Sequence, residues 1–328
     1  MKIGINGFGR IGRYMTRLLA SDTNLEIAAI NARADNRELA RLLKYDSVHH
    51  TFRGSVDFDD QGLIVNGRHI AITRDAPDAW RWGDMGIPVV IESTGKFTDR
   101  TQAARHLACG ARKVIISAPG KDADATIVMG VNDSGYDPSQ HQIVSAASCT
   151  TNCLAPVAKV LNDSFGIKRG LMTTIHSYTM SQRILDGSHK DPRRARAACM
   201  SMIPTTTGAA RAVALVIPEL AGKLDGMAVR VPTANVSLVD LTCELVEPVT
   251  ARRINDVLCG AANENMGYTE EPLVSVDYLG STHGGVIDGL CTTVLENNLA
   301  KVIVWYDNES SFTNQLVRLT RMVGRSLP

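Results

Sequence analysis

Cys149 lies in Ser145-Ala146-Ala147-Ser148-Cys149-Thr150-Thr151-Asn152-Cys153, a strand end that turns into a helix. A thiol at a helix N-terminus faces unpaired N–H groups and the positive end of the helix dipole, both of which favour the thiolate. Hydroxyls at Ser148, Thr150 and Thr151 surround it. Cys153, one turn on, faces the same side at greater depth and reads as structural. His176 sits in the apolar run Leu171 to Ser177, where position alone makes it a satisfied core histidine. Arg193, Arg194 and Arg196 read locally as a solvated basic loop.

A second chemical motif opens the chain. The strand-like Lys2 to Asn6 runs into Gly7-Phe8-Gly9-Arg10-Ile11-Gly12, then an amphipathic stretch from Arg13 to Ala20 and a second strand from Leu25 to Asn31. Gly7 allows the tight turn, Gly9 lets backbone approach a pyrophosphate, and Gly12 lets the helix pack on the strand, so the βαβ unit is a dinucleotide site. Where an NAD site presents a carboxylate to the ribose, this chain has Asn31-Ala32-Arg33. The missing acid removes repulsion against a 2′-phosphate and Arg33 supplies a charge-assisted contact, which points to NADP, alone or beside NAD. The alternative is a solvated Arg33 with NAD still preferred.

The elements that position these residues fall into two regions. Buried-strand runs at Val89 to Ser93, Lys113 to Ser117 and Ile143 to Ser145 alternate with helical segments, one from Thr101 to Cys109, and predict an α/β, doubly wound parallel sheet of Rossmann type. From Ser148 onward longer strands, Leu171 to Ser177, Met227 to Val231, Val236 to Leu245 and Lys301 to Tyr306, predict a second, α+β catalytic domain. Helices are expected at Asn152 to Phe165, Gly208 to Val216, Ala251 to Glu264 and Thr313 to Arg325. A length of 328 residues suits about two domains.

The balance of 35 Lys+Arg against 34 Asp+Glu gives +1, which excludes nucleic-acid attraction over the whole surface. Apolar residues at 44% and charged residues at 21% are globular values, and no apolar run reaches the ~18 residues of a membrane span. Seven cysteines without metal-ligand spacing fit a reducing cytoplasm and no metal.

The motifs together carry a resemblance. Asn6 to Arg13, Ser148 to Cys153, Thr174-Ile175-His176-Ser177-Tyr178-Thr179, Arg193 to Ala198 and Thr205-Thr206-Thr207-Gly208-Ala209-Ala210 resemble the phosphorylating glyceraldehyde-3-phosphate dehydrogenase family, in order, from Lys2 to near Asn314. The resemblance implies Cys149 as nucleophile and His176 as general base, acting on glyceraldehyde 3-phosphate and inorganic phosphate through a Cys149 thioester. It implies Thr179 and Arg230 at the substrate phosphate, and Ser148, Thr150, Arg194, Thr207 and Gly208 at the inorganic phosphate. For the cofactor it implies Gly7, Gly9, Arg10, Ile11 and Gly12 with Arg74, Thr94, Gly95 and Ser117, and Asn308 at the carboxamide. It also implies a cytoplasmic homotetramer, and a last helix that returns to the cofactor domain, giving domains of 1–147 plus 313–328 and 148–312.

Departures from the family pattern carry information as well. Gly187-Ser188 stands where Leu-Pro is usual, a change resembling NADP-accepting members, with Ser188 reaching a neighbouring subunit's cofactor. Met180-Ser181 replaces Asn-Asp after Thr179, and Ser310-Ser311-Phe312 replaces Trp-Gly-Tyr. The related erythrose-4-phosphate dehydrogenases share fold and cysteine but alter the segments kept here at Ser177 to Thr179 and Thr205 to Gly208. A catalytically silent dinucleotide-binding protein is the remote third reading, favoured only by the Ser310 region.

Overall fold

The computed structural model describes residues 1–327. Its chain forms two compact units: Met1–Ile127, Asp133–Ala147 and the chain from Leu316 in the first, Val128–Asn132 and Ser148–Gln315 in the second. The return to the first unit falls at Leu316 rather than Thr313, and the short segment Val128–Asn132 groups with the second unit rather than the first.

In the first unit, β1 (Lys2–Asn6), α1 (Arg10–Leu19), β2 (Glu26–Asn31) and α2 (Asn36–Lys44) precede a hairpin region of β3 (Val56–Phe58), β4 (Gly62–Val65) and β5 (Arg68–Thr73). Then come β6 (Val89–Glu92), α3 (Arg100–Ala108), β7 (Lys113–Ile116), β8 (Ala125–Thr126) and β9 (Ile143–Ser145). They build a nine-stranded sheet in the order β3-β4-β5-β2-β1-β6-β7-β9-β8. The seven strands from β5 to β8 run parallel, while β3 and β4 add an antiparallel edge that the alternating strand–helix pattern did not predict. Ile3, Ile5, Val90, Ile91, Val114 and Ile115 are fully buried, as strands covered on both faces require. Strand order reverses at β1, so the carboxyl ends of β1 and β6 open a crevice of the kind where α/β sheets bind ligands.

The second unit opens with α4 (Cys149–Phe165) and β10 (Ile167–Ser177), followed by β11 (Ile203–Thr206), α5 (Ala209–Ala212), β12 (Leu224–Val231), β13 (Ser237–Leu245) and α6 (Ala251–Gly260). It closes with β14 (Met266–Thr269), β15 (Gly285–Leu295), β16 (Leu299–Tyr306) and the start of α7 (Ser310–Arg325), whose residues from Leu316 onward belong to the first unit. The seven-stranded mixed sheet has the order β11-β12-β10-β13-β16-β15-β14. Alternate residues of β13 are buried, so one sheet face packs on the core and the other is open. The helix expected from Gly208 to Val216 is only the single turn of α5 and a 3₁₀ turn, and the strands β14 and β15 lay outside the sequence expectations.

Two glycines of the opening turn are sterically obligatory. Gly7 has φ +103°, and a Cβ at Gly12 would stand 2.3 Å from the Gly7 carbonyl oxygen. Gly12→Ala is therefore expected to lower the stability of the first unit by about 1–3 kcal/mol through overpacking. Urea unfolding checks this, as a lower midpoint at unchanged slope.

Candidate active site

Sheet register brings the reactive groups of the second unit together. β10 and β12 run parallel with His176 opposite Arg230, and β13 places Ser237 opposite Tyr306 of β16. Cys149 is the first residue of α4, whose N-cap Ser148 accepts the Thr151 N–H at 3.0 Å. Its Sγ lies 3.6 Å from His176 Nε2. His176 Nδ1 is 2.7 Å from the Ser177 carbonyl oxygen, so Nδ1 carries the proton and donates it there. Nε2 is then the bare nitrogen, facing the sulfur. Arg230 Nη1 donates to the same carbonyl at 3.0 Å, which makes its 2.9 Å approach to Nδ1 a meeting of two donors rather than a bond.

Burial governs the protonation of this pair. It pushes the Cys149 thiol up, opposed by the Arg230 charge and by the Thr150 hydroxyl, and it pushes the His176 imidazole down to about 3, assisted by Arg230. Each charge alone is disfavoured. Transfer of the proton from Sγ to Nε2 creates both at once, 3.6 Å apart, with the thiolate at the N-terminus of α4. The lowering that the helix end suggested for the isolated thiol is thus overcome by desolvation, and the thiolate depends on its base. Cys153, fully buried, is pushed up much further and stays a thiol.

Tyr306 and Thr174 were not legible as site residues. The Tyr306 hydroxyl lies 2.8 Å from both the Thr150 and Thr174 hydroxyls, and its ring meets the His176 ring edge-on at 5.9 Å. Burial keeps that phenol neutral. Ser148 and Thr150, expected to serve an anion, already use their hydroxyls internally, Ser148 as a cap and Thr150 against Tyr306.

The anion-binding candidates are positioned by groups that went unrecognised in the sequence. Arg194 Nε donates to the Thr205 hydroxyl at 2.9 Å, and Thr205 donates to Asp191 at 2.8 Å. Thr207 accepts the Ala209 N–H, and Gly208 caps α5. Thr179 receives a 3.4 Å contact from Arg230 Nη1 and shares its hydroxyl with Ser181 at 2.9 Å, so Ser181 supplies a polar partner despite the Met180-Ser181 departure. Arg230 Nε is buried without an acceptor, a donor that an anionic oxygen would satisfy.

Asn308 is nearly buried and accepts a bond from Ser237 at 3.2 Å. Next to it Asp307 caps α7, taking the N–H groups of Glu309 and Ser310. Ser310, Ser311 and Phe312 are buried in the first turn of that helix, where the Ser311 hydroxyl donates to the Ser281 carbonyl. Ser188 is exposed, and its carbonyl oxygen accepts two bonds from Arg183.

The first unit contains a cavity of about 740 Å³ whose lining includes Gly7, Gly9, Arg33, Arg74 and Thr94. Its chemistry fits a dinucleotide. The N-terminus of α1 has no side-chain cap and no acidic residue in its first turn, and a Cβ at Gly9 would meet nothing within 4 Å, leaving room against the backbone. Arg10, expected to help, turns its guanidinium to both carboxylate oxygens of Asp46 and offers only backbone N–H, as does Ile11. Gly12, Gly95 and Ser117 do not line the cavity. Ser117 instead donates its N–H to Glu92 in the sheet. Arg74 donates to the Ala34 carbonyl and the Asn36 side chain, both at 2.7 Å, bracing the loop that carries an exposed Arg33. Among the described residues no His, Cys, Asp and Glu cluster could hold a metal, and no helix is long and apolar enough to cross a membrane.

Comparison with known proteins agrees with this geometry. Residues 1–100 match the glyceraldehyde 3-phosphate dehydrogenase NAD binding domain, and residues 148–308 match the C-terminal domain of the same enzyme. Glyceraldehyde-3-phosphate dehydrogenase of Priestia megaterium is 56% identical over 329 residues, covering 99% of this chain and 98% of that protein. The Geobacillus stearothermophilus protein of that name is 54% identical over the same shares, and glyceraldehyde-3-phosphate dehydrogenase 2 of Bacillus subtilis is 50% identical, covering 99% and 97%.

The pairing of thiol and imidazole has a measurable consequence. His176→Asn is expected to slow iodoacetamide alkylation of Cys149 at pH 7 by about 10²-fold, the scale of a lost general base. The pH midpoint of the reaction should move upward, because the remaining thiolate must form alone where burial disfavours it. Alkylation rates across pH, read by mass spectrometry at Cys149, test both.

Proposed function

The chain belongs to the glyceraldehyde-3-phosphate dehydrogenase family, and from that premise we propose that it oxidises glyceraldehyde 3-phosphate to 1,3-bisphosphoglycerate, reversibly, through a thioester on Cys149. The observation that carries the proposal is the 3.6 Å approach of His176 Nε2 to Sγ at the start of α4. The Cys149 thiolate adds to the aldehyde carbon while its proton rests on Nε2, and the resulting hemithioacetal oxygen takes a proton back. A bound nicotinamide dinucleotide supplies the hydride acceptor. As the hemithioacetal carbon gives up hydride, Nε2 removes the hydroxyl proton and a thioester remains. A phosphate oxygen then attacks that carbonyl, the oxyanion is held by the Cys149 N–H and by His176, and cleavage of the C–S bond releases the acyl phosphate and restores the thiolate.

Arg230 and Thr179 are assigned to the substrate phosphate, a role that the partnerless Arg230 Nε supports. Arg194, Thr207 and Gly208 are assigned to inorganic phosphate, with Ser148 and Thr150 contributing hydroxyls that keep their internal partners. Gly7, Gly9 and the first N–H groups of α1 are assigned to the pyrophosphate, Arg74 and Thr94 to the remainder of the cavity, and Asn308 to the carboxamide.

NADP is the cofactor this reading favours, with NAD accepted beside it. Asp35, the first acid after β2, is committed as the cap of α2, and Arg33 is exposed and makes no ion pair among the described residues. The Ser188 hydroxyl is exposed, as a contact to a neighbouring subunit would need. A homotetramer accords with the apolar side chains left open at Leu171 and Met227 of the sheet and at Met180, Leu185, Met200 and Met202 of the 178–202 loop. A cytoplasmic location accords with seven unpaired cysteines, three of them exposed.

Paired initial rates test the cofactor reading. Arg33→Ala is expected to lower kcat/KM for NADP about 10- to 100-fold, the range of a lost charge-assisted bond, and to change the NAD value less than about threefold. A large parental preference for NAD would refute NADP use while leaving the dehydrogenase assignment intact; a preference for erythrose 4-phosphate over glyceraldehyde 3-phosphate, independent of phosphate, would refute the substrate.

A further inference from the structure

Beneath the dinucleotide cavity lies a buried carboxylate that the reaction does not use. Glu92, at the carboxyl end of β6, is 1% exposed and receives four hydrogen bonds. Oε2 accepts from Asn6 Nδ2 at 2.6 Å and from His106 Nε2 at 3.1 Å, while Oε1 accepts from the Thr94 N–H at 2.7 Å and from the Thr94 hydroxyl. His106 has no freedom to reverse its bond: its Nδ1 accepts the Trp82 indole N–H at 3.0 Å, and an indole nitrogen only donates. Nε2 therefore carries the proton.

The chain continues across the sheet. Asn6 gives its amide hydrogen to Glu92, so its Oδ1 accepts from Asn31 Nδ2 at 2.9 Å. Asn31 Oδ1 in turn accepts the Asp75 N–H at 2.9 Å and the Thr73 hydroxyl at 3.0 Å. The relay is thus pinned from both ends: Glu92 accepts from Asn6, and the Asp75 backbone gives its N–H to Asn31 Oδ1 and accepts from Asn31 Nδ2 at 3.3 Å, so each amide between the end of β6 and the segment after β5 has one direction that satisfies both ends. Thr94 stands at one end of this relay and Asp75 at the other, and Asn6, Asn31, Thr94 and Asp75 all line the cavity together with Arg74, Ala76 and Pro77 beside them.

We propose that Glu92 is a positioning residue for the dinucleotide: its two acceptor oxygens match the polarity that the Asp75 backbone gives to the Asn31 amide, and the agreement of the two ends through Asn6 holds both walls of the cavity in their binding shape. The proposal rests on the reading of this cavity as the dinucleotide site. A neutral amide at position 92 has one acceptor and one donor group. Placed toward Thr94, the new NH₂ faces the Thr94 N–H; placed toward Asn6, it faces the His106 N–H and forces Asn6 to turn over. Asn6 would then oppose Asn31, which must turn as well and set its own NH₂ against the Asp75 N–H. The disturbance travels to the far wall without any direct contact between Glu92 and that wall.

Calorimetric titration with NAD and with NADP decides the matter. Glu92→Gln is expected to raise Kd about tenfold. Asn31→Asp alone should also weaken binding, because it asks Asn6 to donate in the direction that Glu92 opposes. Combined, the two substitutions let Asn6 turn over, donating to the carboxylate at position 31 and accepting from the amide at position 92, so the double variant should bind at least threefold better than the product of the single losses allows. Losses that multiply, or a folded Glu92→Gln variant whose Kd stays within twofold of the parent, overturn the proposal; a merely structural carboxylate would lower thermal stability without the rescue. Should Glu92→Gln fail to fold, Thr73→Val, at the far end and with the carboxylate untouched, is expected to raise Kd two- to fivefold, and an unchanged Kd is equally fatal. A parent that binds neither NAD nor NADP would refute the cavity assignment itself, an outcome distinct from all of these.

Discussion

A thiol and an imidazole buried side by side cannot ionise independently. Desolvation raises the one and lowers the other, so charge exists at this centre only as a pair, formed when one proton crosses 3.6 Å. Much of the second unit answers to that constraint. The Ser177 carbonyl fixes the imidazole tautomer, Arg230 braces the same carbonyl, and Tyr306 closes the far side of the ring with its hydroxyl locked between two threonines. The sheet supplies these groups by register: Arg230 is opposite His176 because β12 runs parallel to β10.

The same arrangement explains why a positive charge is tolerated where a base must stay neutral. Arg230 lies close enough to depress the imidazole and to oppose the rise of the thiol, and both effects favour a neutral base beside an ionisable sulfur. Its Nε remains without an acceptor, and an unsatisfied buried donor costs about 1–3 kcal/mol. An anionic oxygen placed against it would relieve that cost, and under the proposed assignment the stability given up in the free protein would be recovered as affinity for a phosphate-bearing ligand.

What the sequence made legible follows from how local each signal is. The glycine turn was readable because each glycine answers a steric need within six residues, and Gly7 and Gly12 meet those needs in space. Cys149 was readable from a strand end entering a helix. Tyr306, Thr174, Asp191 and Thr205 were not, because their roles arise from strand pairing and loop closure across tens to more than a hundred residues. The antiparallel edge β3–β4 escaped for another reason: β3 is three largely exposed residues, and β4, though its Leu63-Ile64-Val65 run is mostly buried, is joined to β3 and β5 with no helix between to mark it in the strand–helix alternation. Helix capping was not part of the sequence reading: Ser148 is a hydroxyl beside the nucleophile in sequence, and in space it also caps the first turn of α4.

Polarity can be specified as strictly as shape. In the first unit the carboxyl ends of three adjacent strands each present a polar side chain to the interior, at Asn31, Asn6 and Glu92. Two amides in contact are ambiguous, since either can donate; a carboxylate that only accepts at one end of the row, and the Asp75 backbone at the other, remove the ambiguity from both. A buried carboxylate is costly unless every lone pair is used, and here four donors converge on two oxygens. The cost is accepted where the fold needs a ligand cavity with a defined set of outward-facing donors and acceptors. In the second unit the Ser177 carbonyl has the corresponding role, fixing which nitrogen of His176 is bare. In both units a group that can only accept limits how its neighbours face, the orientation of two amides in the first and the tautomer of His176 in the second.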